Sequence, residues 1–199
     1  MKNIIVIGIA AVIVMLVIIV VVVFVLGHGT SSCSYITPSE AASVIGGTWT
    51  LQKDESYCFK MNSNGTATVK FFNGTTENMN LGSVISSMSP LYSQYTPTNG
   101  MEEYLNGTVN GKSASISAYY ATFSSQSVAE KFFSAEYMAS KFFSQVYNIS
   151  NNEFVVSTGG LGSYMYSVVK LSGNTVYVVQ VTVPVQLSGT QLATLVNYL

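Results

Sequence analysis

From Ile4 to Leu26 every residue is Ile, Val, Leu, Ala, Met, Phe or Gly, an unbroken apolar run of 23 residues. Coiled as a helix at about 1.5 Å per residue it is roughly 35 Å long, enough to cross a hydrocarbon core of about 30 Å with some tilt. The pattern predicts a transmembrane helix in residues 4–26, with membrane lipid as its partner. Lys2 precedes the run and no further basic residue appears before Lys53. This asymmetry places the N-terminus in the cytoplasm and the remainder outside, as a single-pass protein. Gly27-His28-Gly29 can also be read as a small-x-small cleavage site, which would release the exterior part. The run exceeds the usual apolar region of a cleaved signal, so an anchor is the expectation.

After a Gly/Ser/Thr linker in residues 27–36 the periodicity changes. Thr37-Pro38-Ser39-Glu40 combines a capping box with proline at the first helical position, and Gly46-Gly47 closes a short helix. TWTLQ, SYCFKMN and TATVKFF are rich in β-branched and aromatic residues and are divided by KDE and by Asn64-Gly65. They predict an antiparallel meander over residues 48–73. Residues 77–100 show poor periodicity, with a short helix expected near Val84 to Met88. ASISAYYATF, EFVVS, YMYSVVKL and TVYVVQVTV are further strand candidates, with Gly173-Asn174 as a hairpin turn. Ser188-Gly189-Thr190-Gln191 is a capping box for a terminal helix striped by Leu192, Leu195, Val196 and Leu199.

The segment from Ser127 to Tyr147 contains KFFS twice, ten residues apart. Ser127-Val128-Ala129-Glu130 reads as its capping box. On a helical wheel Val128, Phe132, Ala135, Ala139, Phe142, Phe143 and Val146 share one side. Glu130, Lys131, Ser134, Lys141, Ser144 and Gln145 share the other. Alanines within the stripe and mixed charge on the polar face predict a helix buried on a sheet rather than one lying in a membrane surface. The expected fold is α+β: an N-terminal transmembrane helix (residues 1–26 with its tip), then an exterior domain in residues 37–199 of antiparallel sheet with packed helices. Residues 37–88 and 127–199 can both be read as helix, three strands, helix.

Composition sharpens the picture of the exterior. All eight basic residues are lysine, Asp54 is the lone aspartate, charged residues are 9% of the chain and the net charge is −1. Ser, Thr, Asn and Tyr must therefore hydrate the surface, and they do so with groups indifferent to acid. Without a basic cluster there is no electrostatic footprint for nucleic acid. Cys33 and Cys58 are the only cysteines and outside the cell predict one disulfide. Asn64, Asn73, Asn106 and Asn148 each begin an Asn-x-Ser/Thr sequon, predicting a glycoprotein.

Candidate chemistry is sparse. His28 is the only histidine and lies beside the span, so a histidine metal cluster cannot be assembled. A Ser-His-Asp triad would have to be built beside the bilayer with Asp54 as its sole aspartate, and His28 reads instead as an interfacial residue. Asp54-Glu55 and Glu102-Glu103 are adjacent carboxyl pairs beside turn-like sequence and read as solvated loop charge. Gly159-Gly160-Leu161-Gly162 lies between strand candidates and reads as a hairpin rather than a phosphate loop. No cofactor, metal or catalytic constellation is expected. Tyr92, Tyr95, Tyr104, Tyr119, Tyr120, Tyr164 and Tyr166 offer contact area for protein or sugar recognition, with the segment 90–105 as a site-bearing loop. The alternative is that these rings cover the sheet.

A Val/Ile-rich amino-terminal span followed by a lysine-only, charge-poor exterior rich in Ser, Thr, Asn and Tyr, with sequons, resembles exported surface proteins of thermoacidophilic archaea. In size and layout the chain is similar to the sulfolobicins, membrane-associated antimicrobial proteins, and that resemblance implies killing of related cells. The resemblance rests on layout and assigns no residue a role. The leading expectation is a non-catalytic, membrane-anchored exterior glycoprotein that binds a surface protein or envelope component. An antimicrobial protein and an accessory subunit of a membrane complex are the alternatives.

Overall fold

The computed structural model describes residues 33–80, 95–160 and 162–199. The expected span, and the short helix near Val84 to Met88, lie outside these residues. Among the described residues no helix is long and apolar enough to cross a membrane. The described residues form one antiparallel sheet of ten strands, with three helices packed on its two faces.

The strands are β1 (Thr48–Leu51), β2 (Tyr57–Met61), β3 (Ala67–Phe71), β4 (Thr76–Met79), β5 (Asn99–Val109), β6 (Lys112–Thr122), β7 (Gln145–Ser150), β8 (Glu153–Gly160), β9 (Ser163–Ser172) and β10 (Thr175–Val183). The helices are α1 (Pro38–Ile45), α2 (Gln126–Phe143) and α3 (Gly189–Asn197). The sheet runs β4-β3-β2-β5-β6-β10-β9-β8-β7, and β1 pairs with β5 beside β2. One edge of β5 thus meets β2 through Asn99 to Glu102 and β1 through Leu105 to Thr108.

The first face carries α1 and α3. Their core includes Ile36, Trp49, Leu105, Ile116, Val168, Val181 and Leu195. Both helices begin with the predicted capping boxes, at Thr37 and Glu40 and at Ser188 and Gln191. Gln191 also joins the two helices, donating from Nε2 to the Val44 carbonyl at 2.7 Å. Trp49 lies over Gly107, where a Cβ would meet the indole at 2.6 Å, so only glycine lets this ring seat against the sheet. Cys33 and Cys58 form the expected disulfide with Cα atoms 6.5 Å apart. Ile36 is fully buried, so the chain has already joined the domain there.

The second face carries α2, and here the expected register changes. Ser125, not Ser127, is the N-cap, its hydroxyl accepting from the Val128 N–H at 3.3 Å. Ala129, Phe132, Phe133 and Tyr137 pack on the sheet, whereas Ala139 is exposed and Phe142 is 79% exposed. The helix does lie on a sheet as anticipated, but by a stripe displaced around its axis. The first KFFS copy packs, with Phe132 against Phe123 at 5.0 Å and Phe133 against Phe154 at 5.2 Å between ring centroids. The helix also ends earlier, because Gln145 to Ser150 pair with β8 as an edge strand. Their Val, Tyr and Ile suit a pleated surface, and ladder hydrogen bonds outweigh one more helical turn.

Two more strands, β4 and β5, fall where irregular chain was expected. β5 is interrupted by Gly100, Asn106 and Gly107 and carries two glutamates, so its composition hides a strand that pairs along both edges. The glycine run before β9 forms the β8–β9 hairpin as read, with Gly162 at φ +84°. The difference between the two KFFS copies sets an expectation for stability. Phe132→Ala should cost about 3–5 kcal/mol and Phe142→Ala under about 0.5 kcal/mol in urea unfolding.

Candidate functional site

Glu102 and Glu103 are not loop charges. Both are buried in β5, and because successive side chains on a strand alternate, they occupy opposite faces of the sheet. They therefore cannot flank one reacting bond as a carboxylate pair.

Glu102 lies on the second face. The Tyr57 hydroxyl donates to its Oε2 and the Tyr104 hydroxyl to its Oε1. Burial raises the Glu102 pKa against the lowering effect of these two hydrogen bonds. Burial, then the neighbouring carboxylate, raises both phenols, so they remain donors. Glu103 lies on the first face, fully buried, beneath the chain that the disulfide ties to β2. Its Oε1 accepts the Ile36 N–H at 2.8 Å, and its Oε2 has no hydrogen-bond partner. Burial pushes this carboxyl up to about 8, opposed by the Ile36 N–H and assisted by nearby Glu40.

Beyond Tyr104 the second face opens. Thr48, Thr108 and Ser113 form one cross-strand row, and Thr50, Asn106 and Ser115 form the next. All six side chains are exposed and uncharged. The rows repeat about 4.8 Å across strands and about 7 Å along them, presenting hydroxyl and amide groups that both donate and accept. The neighbouring Ser117 hydroxyl is buried without a hydrogen-bond partner. This grid lies opposite the core beneath Trp49, Leu105 and Val109, so it is the outer side of a well-packed part of the sheet.

The tyrosines proposed for recognition mostly cover the sheet. Tyr95 packs edge-on against Phe132, Tyr120 leans on Tyr177, and Tyr164 stacks on Tyr166. Tyr166 is buried, and its hydroxyl accepts the Leu187 N–H at 3.1 Å. Tyr119 packs beneath α2, and Tyr92 lies outside the described residues. From Asn99 the supposed site loop is strand. The sequon asparagines Asn64, Asn73, Asn106 and Asn148 are all exposed, the first two at hairpin turns and the last two on strands. Asp54 is also at the surface, accepting from Asn73 Nδ2 at 2.8 Å. Among the described residues no group of three or more His, Cys, Asp or Glu is placed to hold a metal. Alternation of Thr48 and Thr50 around Trp49 was the signal available for the grid, but its central strand, β5, was hidden.

No family model matches the chain, and no curated protein matches it. Its fold is similar to the crystal structure of the extracellular domain of PknH from Mycobacterium tuberculosis. The match has a TM-score of 0.55 at 15% identity and covers 81% of this chain and 90% of that one. At this identity the likeness is one of fold.

Glu103 makes stability depend on pH with a definite sign. Its folded pKa of about 8 lies above the ordinary 4.5. The favourable neutral form is therefore fully available below the ordinary value, and stability is lost as pH rises toward the folded one. At about 1.4 kcal/mol per unit of separation the loss amounts to a few kcal/mol. Urea midpoints should fall between pH 5 and pH 9, and Glu103→Gln should flatten that fall. An unchanged pH profile in the variant would overturn the assignment.

Proposed function

We infer that this protein is a membrane-anchored domain outside the cell, acting without catalysis by binding a polyhydroxylated component of the envelope. The observation that carries the reading is the open grid of Thr48, Thr50, Asn106, Thr108, Ser113 and Ser115 on the second face. Its donors and acceptors repeat at a spacing suited to the recurring hydroxyls of a glycan chain, and none of them titrates in acid. The apolar run from Ile4 to Leu26 behind Lys2 supports anchoring with the domain exterior. The Cys33–Cys58 disulfide and the likeness in fold to an extracellular domain support the same side of the membrane.

A second reading is favoured by one observation. Phe142 is 79% exposed beside Lys141 on α2, an apolar and basic contact suited to a lipid surface. It supports the antimicrobial alternative, in which released protein kills related cells. Dose-dependent killing that Phe142→Ser abolishes would sustain it, and full survival at doses well above native abundance would overturn it.

Retention of the protein on purified envelope tests the leading reading. Thr108→Lys combined with Ser115→Lys should weaken retention tenfold or more while the unfolding midpoint stays near that of the parent. Binding should also be nearly unchanged between low and high salt, because the grid has no charge to screen. Equal retention of the double variant, or a glycan found on Asn106 at the centre of the grid, would overturn the reading.

A further inference from the structure

At the opposite corner of the second face, α2 and the β7–β8 hairpin enclose a groove of about 490 Å³. Phe133, Tyr137 and Met138 line it from α2, Asn148 and Ile149 from β7, and Phe154 from β8. Its floor is aromatic, with Phe133 and Tyr137 each 5.2 Å from Phe154 between ring centroids. Its rim leaves Met138 55% and Ile149 45% exposed, an apolar cost in water. The register passes from Asn148 opposite Phe154 to Ser150 opposite Glu153, so Ile149 is the extra residue of a β-bulge. Asn148 Nδ2 stands at the rim, donating to the Tyr137 hydroxyl at 3.4 Å.

We propose that this groove seats the first sugars of an N-linked glycan carried by Asn148. The attachment atom is already part of the wall, so the occupant is delivered covalently and needs little affinity of its own. A sugar ring has C–H faces that suit Tyr137, Met138 and Ile149 and hydroxyl edges that suit the polar rim of Ser134, Ser150 and Asn151. The volume is in the range of sites that bury small molecules and holds roughly one or two such rings. In the transfer, Asn148 Nδ2 bonds to the anomeric carbon of a lipid-phosphate-linked oligosaccharide. The carbon–oxygen bond to phosphate breaks, the lipid phosphate leaves with the bonding pair, and one amide proton is released. The remaining N–H can still donate to Tyr137. A glycan here also shields β7, an edge strand of the described sheet, from pairing with other chains.

Asn64 and Asn73 provide the internal contrast. Each sits in a hairpin turn, its Oδ1 accepting the hydroxyl of Thr66 or Thr75 at 2.8 Å. Neither lines the groove, so glycans there stand free in water.

The proposal rests on the exterior placement, and the experiment separates the two. Full-length protein is purified from its own membranes, and occupancy of each sequon is read by glycopeptide mass spectrometry. Release by an amidase that cuts at the Asn–sugar bond is then timed on folded and unfolded protein. Asn148 should be occupied, and its glycan should leave the folded protein at least tenfold more slowly than those on Asn64 or Asn73, with the difference gone after unfolding. Ser150→Ala, which removes the acceptor signal but keeps Asn148, should yield protein that self-associates. A bare Asn148 in a domain that external protease can reach overturns this proposal alone, as does equally fast release. If all four sequons are bare and external protease cannot reach the domain, the exterior reading falls with it.

Discussion

The pairing of β5 on both of its edges is the constraint on which the rest of the molecule depends. β6 takes one edge along its whole length, while β2 and β1 divide the other. Through that strand the amino-terminal meander and the carboxy-terminal β6-β10-β9-β8-β7 run become one sheet. A strand held on both edges cannot slip by one residue without turning every side chain to the wrong face. For β5 that slip would carry Leu105 and Val109 out of the core, and it would part Glu102 from two phenols and Glu103 from the Ile36 N–H. Its buried carboxyls thus mark the register, at the cost of desolvation.

The two faces of the sheet then acquire different tasks. The first is closed by α1 and α3, joined by Gln191 and reinforced where the disulfide draws the entering chain over β2. The second is closed by α2 over β8, β9 and β10 only in part. Among the described residues that face is polar and uncharged along β1, β5 and β6, apolar around Tyr57, Phe59 and Val69 on β2 and β3, and aromatic with an amide rim at the β7 corner. A chain with 9% charged residues cannot hydrate such surfaces with ions, so hydroxyls and amides carry that role. The same groups make the surface insensitive to acid, and the raised pKa of Glu103 gives the interior a preference in the same direction.

Strands whose apolar residues alternate or run continuously, such as β2, β3, β9 and β10, were legible in the sequence, as were the capping boxes of α1 and α3 and the disulfide. Their signals are local, or depend on two residues that have no other partner. β5 was hidden because glycine, asparagine and glutamate lower its intrinsic preference, although Asn110-Gly111, with φ of 51° and 73°, marked its hairpin with β6. The packing stripe of α2 was displaced because Phe132, Phe133, Phe142 and Phe143 are apolar alike, and a wheel cannot say which of them meets a partner.

Sequence by itself determined the apolar run, the charge-poor polar composition, the cysteine pair, the sequons and most of the strands, all of which follow from residue chemistry and short-range period. Tertiary structure alone decided that Glu102 and Glu103 are buried on opposite faces, that Thr48, Asn106 and Ser115 share one open surface, and that Asn148 stands at the rim of an aromatic groove. These are relations between residues distant in the chain. They arise only when strand pairing fixes a register and the helices choose which part of each face to cover.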